Sequence, residues 1–195
     1  MKAVNEMKKV MFVQHFGSVF EHSLWVAEQA VRDRPFESVQ ALCAKMTTVV
    51  QEASRSDQLA LLRNHPNLGA NVKMTDASVK EQKAAGLTSL SKEEFDQFSL
   101  LNEAYTQKFS FPFIMAIQGK TKEEICVQMK QRLQNDQETE FETALAEVFK
   151  IAGFRIEDIV IQEPGRTQHM PAVTTRVLNE TQGRLGGPAS FISPI

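Results

Sequence analysis

The residues best suited to chemistry lie in two short runs, His65-Pro66-Asn67-Leu68-Gly69 and Ser78-Val79-Lys80-Glu81-Gln82. An imidazole titrates near neutral pH, so His65 can give or take a proton during turnover. On position alone a lone histidine is as readily structural as chemical. His65 gains weight from its loop between helices, where binding residues concentrate on a rigid scaffold. Pro66 restrains the backbone behind it, and Gly69 permits a turn that a Cβ would strain.

Ser78-x-x-Glu81 fits a capping box, and most such patterns only start a helix. A helix start is also an anion site, because its unpaired N–H groups and dipole favour a carboxylate. Gln82 adds an amide that both donates and accepts. With His65 facing that helix start, a pocket would hold a proton carrier, a carboxylate and an anion cradle. The run Phe109-Ser110-Phe111-Pro112-Phe113-Ile114-Met115-Ala116-Ile117 reads most simply as a buried connector. Its irregular backbone leaves N–H groups that need partners when buried, and a bound heterocycle could supply them. Arg155 could pair with a carboxylate through two parallel hydrogen bonds, or stand as an exposed arginine at a helix end. His15 and His22 fall seven apart, on similar faces of one helix, but no third ligand follows at metal spacing. Neither HExxH nor a glycine-rich phosphate loop occurs.

The elements that must position these groups read as helices up to about Gly153. Phe16, Val19, Phe20, Leu24 and Ala27 recur at spacings of three and four, predicting a first helix that carries Glu21, His22, Ser23 and Trp25. Val39, Leu42, Cys43, Met46 and Val50 form a second stripe after Ser38. A short helix over residues 58–63 runs into His65-Pro66, where the residue before Pro disfavours further helix. Ser91-x-x-Glu94 and Thr121-x-x-Glu124 are capping boxes for two more. The first of these two stops before Phe111-Pro112. The last helix carries Phe141, Leu145, Val148, Phe149 and Ala152, with Gly153 suited to its C-terminal cap. No alternating strand of useful length appears, so the expected fold is all-α.

Domain organisation follows composition. Residues 1–162 form the expected helical domain, and Glu163-Pro164-Gly165-Arg166-Thr167 is a linker signature. Residues 174–178 could make one strand, and residues 183–195 are rich in Gly, Pro and Ser. Such a tail cannot bury a core; it is either irregular or the opening of a second domain. A chain of 195 residues can bury about two thirds of its unfolded surface without metal or disulfide. With 22 basic against 24 acidic side chains and no basic stripe, nucleic acid is not the expected partner. Cys43 and Cys126 stand apart without CxxC companions, as reduced cytosolic thiols would. Neither a secretory h-region nor a membrane span is present in the sequence, and a soluble cytoplasmic protein is the expectation.

Taken together, the ordered motifs resemble the decarboxylases of 2-oxo-4-hydroxy-4-carboxy-5-ureidoimidazoline (OHCU), the last enzymes of the urate-to-allantoin route. The likeness runs through Phe20-Glu21-His22-Ser23, His65-Pro66-Asn67-Leu68-Gly69 and Ser78-x-x-Glu81-Gln82-x-x-Ala85-Gly86-Leu87. It continues through Leu101-Asn102-x-x-Tyr105-x-x-Lys108-Phe109-Ser110-Phe111-Pro112-Phe113-Ile114 to residues 155–159, covering most of 12–160. That resemblance implies an all-α homodimer, a small-molecule substrate, and cofactor-free, metal-free decarboxylation to (S)-allantoin. His65 matches the family's proton donor, with Glu81 the second catalytic candidate. Pro66, Ser78, Val79, Lys80, Glu81, Gln82, Phe113, Ile114, Met115, Ala116 and Ile117 match substrate-contacting segments, and Arg155 joins them as a carboxylate partner. Glu81 and Gln82 could hold the ureido group, or Glu81 could orient His65; both alternatives stand. Ser110 occupies a place where Gly is common. Val173-Thr174-Thr175-Arg176-Val177-Leu178-Asn179 with Gly183-Arg184 faintly resembles the opening of the transthyretin-like hydroxyisourate hydrolases. Arg176 stands where that family has His, so no hydrolase activity is expected of the tail, a remnant or part of a truncated fusion. The rival reading is a non-enzymatic helical interaction module whose motifs only cap helices and turn loops.

Overall fold

Side-chain caps start most of the helices in this computed structural model, which describes residues 1–70 and 74–162. Among the described residues the elements are α1 (Lys2–Glu6), α2 (Lys9–Phe16), α3 (Leu24–Ala30), a 3-10 turn (Val31–Asp33), α4 (Val39–Gln51) and α5 (Arg55–Arg63). They continue with α6 (Asp76–Ala84), α7 (Lys92–Phe109), α8 (Lys122–Arg132) and α9 (Gln137–Gln162). No strand occurs among them, so the all-α expectation holds. Ser38, Ser54, Thr75, Ser91 and Thr121 each accept a backbone N–H at a helix start. Both predicted capping boxes, Ser91 with Glu94 and Thr121 with Glu124, are reciprocal. None of the described helices is long and apolar enough to cross a membrane. Sequence expectations for residues 163–195, including the strand and the hydrolase-like opening, lie outside the described residues.

Four local expectations need correction. The first helix is two: α2 ends at Phe16, and α3 begins only at Leu24. Between them Glu21 and His22 take positive φ, 26° and 42°, so the seven-residue spacing of His15 and His22 does not put them on one helical face. Phe16, Val19 and Phe20 are all buried regardless, because a tight turn can bury the same three side chains that a helical stripe would. α5 starts three residues before its predicted start, where Ser54 caps it. Ser78 does not cap a helix; Thr75 does, and Ser78 sits in the first turn of α6. Gly153 does not end the last helix, since α9 continues to Gln162. A mid-helix Gly costs only about 1 kcal/mol against Ala, and burial of Arg155 and Ile156 one turn on holds the helix together.

α9 spans 26 residues, about 39 Å at helical rise, and packs against α2, α4, α5 and α7. Its buried face includes Ala144, Val148, Ala152, Arg155 and Ile156. In the same core Phe12, Phe16, Phe20, Leu42, Met46, Leu61 and Leu62 are essentially fully buried. The irregular run after α7 belongs to the same core, with Phe111, Phe113, Ile114 and Ile117 buried.

Candidate active site

The loop after α5 is pinned from two helices. The Gln82 side-chain carbonyl accepts the Gly69 N–H at 2.9 Å, and Asn102 of α7 donates to the Leu68 carbonyl at 2.8 Å. Gly69 has φ 72°, the left-handed region where a Cβ would be strained. His65 is thereby buried, and its Nδ1 lies 3.0 Å from the Leu61 carbonyl. A carbonyl only accepts, so Nδ1 carries the proton and donates, which leaves Nε2 as a bare lone pair. That Nε2 is buried with no hydrogen-bond partner among the described residues. Burial drives the ring's pKa down to about 4, with the Leu61 carbonyl and the Glu21 charge opposing the fall and Arg155 adding to it. His65 is therefore neutral at rest.

Opposite the loop, α6 and α9 meet at Arg155. Its Nε and Nη2 grip both oxygens of Glu81 at 2.7 and 2.8 Å, the bidentate pairing that suits guanidinium to carboxylate. Nη1 donates to the Glu21 carboxylate at 3.0 Å and to the Val19 carbonyl at 3.2 Å; Nη2 also donates to the Ser78 hydroxyl at 3.0 Å. Arg155 is buried, not an exposed helix-end residue. Burial works against its charge, but Glu81 and Glu21 outweigh that and raise its pKa.

Glu21, a member of no predicted site, is wholly buried. Its carboxylate accepts from the Ser78 hydroxyl at 2.7 Å, Arg155 at 3.0 Å, and the Thr75 hydroxyl and N–H at 3.1 and 3.2 Å. Burial alone would raise its pKa; Ser78, Arg155 and Thr75 together bring it below the ordinary glutamate value. Its sequence signal is membership of the Phe20-Glu21-His22-Ser23 motif, since helical periodicity sets it off the apolar stripe.

A small cavity, about 30 Å³, lies between these groups. His65, Pro66, Ser78, Glu81, Gln82 and Arg155 line it, together with Phe113, Ile114, Met115 and Ile117. Leu68 and Ile151, outside the predicted set, complete the wall. Three other predicted residues lie elsewhere. Val79 is exposed and borders a separate cleft with Gly69 and Gln82. Lys80 and Ala116 line a larger outer pocket of about 400 Å³. Glu81, Arg155, Ile117 and Ile151 line both spaces, so the Arg155–Glu81 pair stands at their junction. A water needs about 10–15 Å³, so the inner space of about 30 Å³ accepts two or three waters at most, and a ring-sized ligand must extend outward past Glu81.

The Phe-rich segment is fixed from behind. Arg132 of α8 donates to the Ile114 carbonyl at 2.7 Å and lies over the Phe113 ring, 4.5 Å from its centroid. Glu140 holds Arg132 in turn, and Tyr105 and Asn135 also bond that buried carboxylate. Glu147 accepts the Ala116 N–H at 2.8 Å. Gln82 spends its carbonyl on Gly69 and directs its amide to the Met74 sulfur at 3.6 Å. Glu81 bonds Arg155 here, while the His65 ring bonds the Leu61 carbonyl. No group of three or more His, Cys, Asp or Glu side chains among the described residues is arranged to hold a metal ion.

Comparison with known proteins follows the same outline. The family model described as OHCU decarboxylase matches residues 5–157. A uric acid degradation bifunctional protein of Bacillus sp. (strain TB-90) is 44% identical over all 195 residues, and this chain spans 38% of that relative's length. The OHCU decarboxylase of Haloferax volcanii is 45% identical over 158 residues, covering 81% of this chain and 94% of its own. A crystal structure of (S)-allantoin synthase superposes with a TM-score of 0.67 at 31% identity, covering 81% of this chain and 53% of that one.

Proposed function

The chain belongs to the OHCU decarboxylase family, and from that premise we propose that it converts 2-oxo-4-hydroxy-4-carboxy-5-ureidoimidazoline to (S)-allantoin and carbon dioxide without a cofactor. The observation that carries this reading is the buried Nε2 of His65, without a partner among the described residues, on the wall of a cavity that also holds Arg155 and Glu81. Decarboxylation leaves an electron pair on the ring, and one face must then receive a proton. A neutral imidazole has no proton on Nε2 to give, so it must first collect one. The substrate's 4-hydroxyl, which becomes a carbonyl in the product, is the chemically available source. The bond to the carboxyl carbon breaks, its electrons pass into the conjugated ring, the ring nitrogen that receives them takes a proton from solvent, and His65 closes the new C–H bond on its own side. Backbone N–H groups of residues 113, 114, 115 and 117, in a segment that Arg132 and Glu147 hold through the Ile114 carbonyl and the Ala116 N–H, support the developing charge.

Arg155 receives the substrate carboxylate in this account, and Glu81 takes the ureido group once its pairing is broken. Pro66, Ser78 and Gln82 shape the inner wall, while Val79, Lys80 and Ala116 belong to the approach. A homodimer in the cytoplasm, with no nucleic-acid partner, completes the proposal; free thiols at Cys43 and Cys126 and near-neutral charge support the setting.

The test generates substrate in situ from urate and follows optical activity. (S)-Allantoin should accumulate with the parent chain, and His65→Asn should slow it by about 100-fold or more, the usual worth of a positioned proton-transfer group. Racemic product at the spontaneous rate with the parent chain would remove the proposal.

A further inference from the structure

Arg155 offers five N–H donors, and all five are taken: two by Glu81, one each by Glu21, Ser78 and the Val19 carbonyl. An incoming carboxylate can reach it only by displacing a partner. The two carboxylates that compete for that loss are unequal. Glu81 is partly exposed, with its side chain at 28% of full accessibility, lines both cavities, and bonds Arg155 through both of its oxygens. Glu21 is at 0%, lines neither cavity, and is held by Ser78 and by two groups of Thr75 besides Arg155. It also sits in left-handed backbone, φ 26°, as does His22 beside it. Such conformations cost about 1–3 kcal/mol at non-Gly residues and persist where the surroundings over-determine them. Releasing Glu81 into solvent loses one pairing; moving Glu21 would strand a charge in the core and break the start of α6.

We propose that Glu21 is the positioning residue of this site: it anchors Arg155 and the first turn of α6, so that Glu81 is the partner that yields when a substrate carboxylate docks. This rests on the decarboxylase reading above and adds a residue to it. Glu21 touches no substrate. It keeps Nη1 fixed while Nε and Nη2 change partners, and it holds Ser78, whose hydroxyl bridges Glu21 and Arg155.

The experiment compares a ligand that has the carboxylate with one that lacks it. KM for the in situ substrate and the inhibition constant of (S)-allantoin, which has no carboxylate, are measured for the parent chain, Glu21→Gln and Thr75→Val. Glu21→Gln should raise KM about 10- to 100-fold, the worth of a charge-assisted hydrogen bond, and shift the (S)-allantoin constant several-fold less. Thr75→Val keeps every charge while loosening the anchor and removing the α6 cap, so it should move KM in the same direction by a smaller factor, again with a smaller shift for (S)-allantoin. Neither constant depends on the folded fraction of the sample, and Thr75→Val decides the question should Glu21→Gln fail to fold. Equal shifts for both ligands would reduce Glu21 to a structural residue. An unchanged or lower KM would mean that Glu21 only offsets the charge of Arg155, and either result overturns the proposal. A parent chain that forms no (S)-allantoin removes the underlying reading itself.

Discussion

His65 combines a buried ring with the proton-moving role proposed for it, two properties that ordinarily conflict. Burial keeps it neutral down to a pKa of about 4, and the Leu61 carbonyl fixes which nitrogen is bare. The same depression makes stability depend on pH. An unfolded His titrates near 6.5, so between about 6.5 and 4 the unfolded chain binds a proton that the native chain refuses, and native stability falls as pH falls. Glu21 acts in the same direction at lower pH: its depressed carboxyl stabilises the fold above the ordinary glutamate value and loses that contribution as acid protonates it. From pH 7 to pH 5 the His65 share amounts to roughly 2 kcal/mol, or about 5 °C in melting temperature for a chain of this size. His65→Asn should therefore melt with a flatter pH dependence over that interval than the parent chain. Parallel curves in a melting series would show that the ring is not held neutral.

At the scale of elements, the helix that supplies Arg155 runs through a glycine. Gly153 lies mid-helix, and a Cβ placed there meets nothing within 4 Å. Gly153→Ala should stabilise the protein by about 1 kcal/mol through helix propensity and raise the melting temperature by a few degrees without altering turnover. A lower melting temperature would mean that the helix bends there for a reason the packing does not reveal. Ser110 is the opposite case. It terminates α7 with φ 65°, a conformation that costs a non-Gly residue roughly 1–2 kcal/mol. The Gly more usual at that place would adopt it freely; here the Phe109 and Phe111 rings are buried on either side and Arg63 donates to the Ser110 carbonyl at 2.8 Å. Ser110→Gly should accordingly raise the chemical denaturation midpoint, and a fall would assign the hydroxyl a bond of its own.

For the whole molecule, the question is how much chain the site requires. His65, Glu81, Arg155 and the Phe-rich segment all come from residues 65–155, and the core that carries them closes with Ile156. We expect a chain ending at Gln162 to retain folding, turnover and sedimentation as two copies. Loss of helix content by circular dichroism would place the domain boundary further on.

Where α4, α7 and α8 begin could be read from local sequence, because caps, turns and apolar stripes are decided by residues within one or two turns of each other. Ser38, Ser91 with Glu94 and Thr121 with Glu124 act as their spacing predicts. The break between α2 and α3 was not legible, since a helix and a turn bury Phe16, Val19 and Phe20 equally well. Only the folded chain chooses the turn, where Glu21 meets Arg155, 134 residues away, and the pair of buried charges fixes a strained backbone. The partner of Arg155, the bare nitrogen of His65 and the importance of Glu21 are likewise tertiary facts, for each depends on groups brought together across the core whose mutual distance no spacing in the sequence encodes.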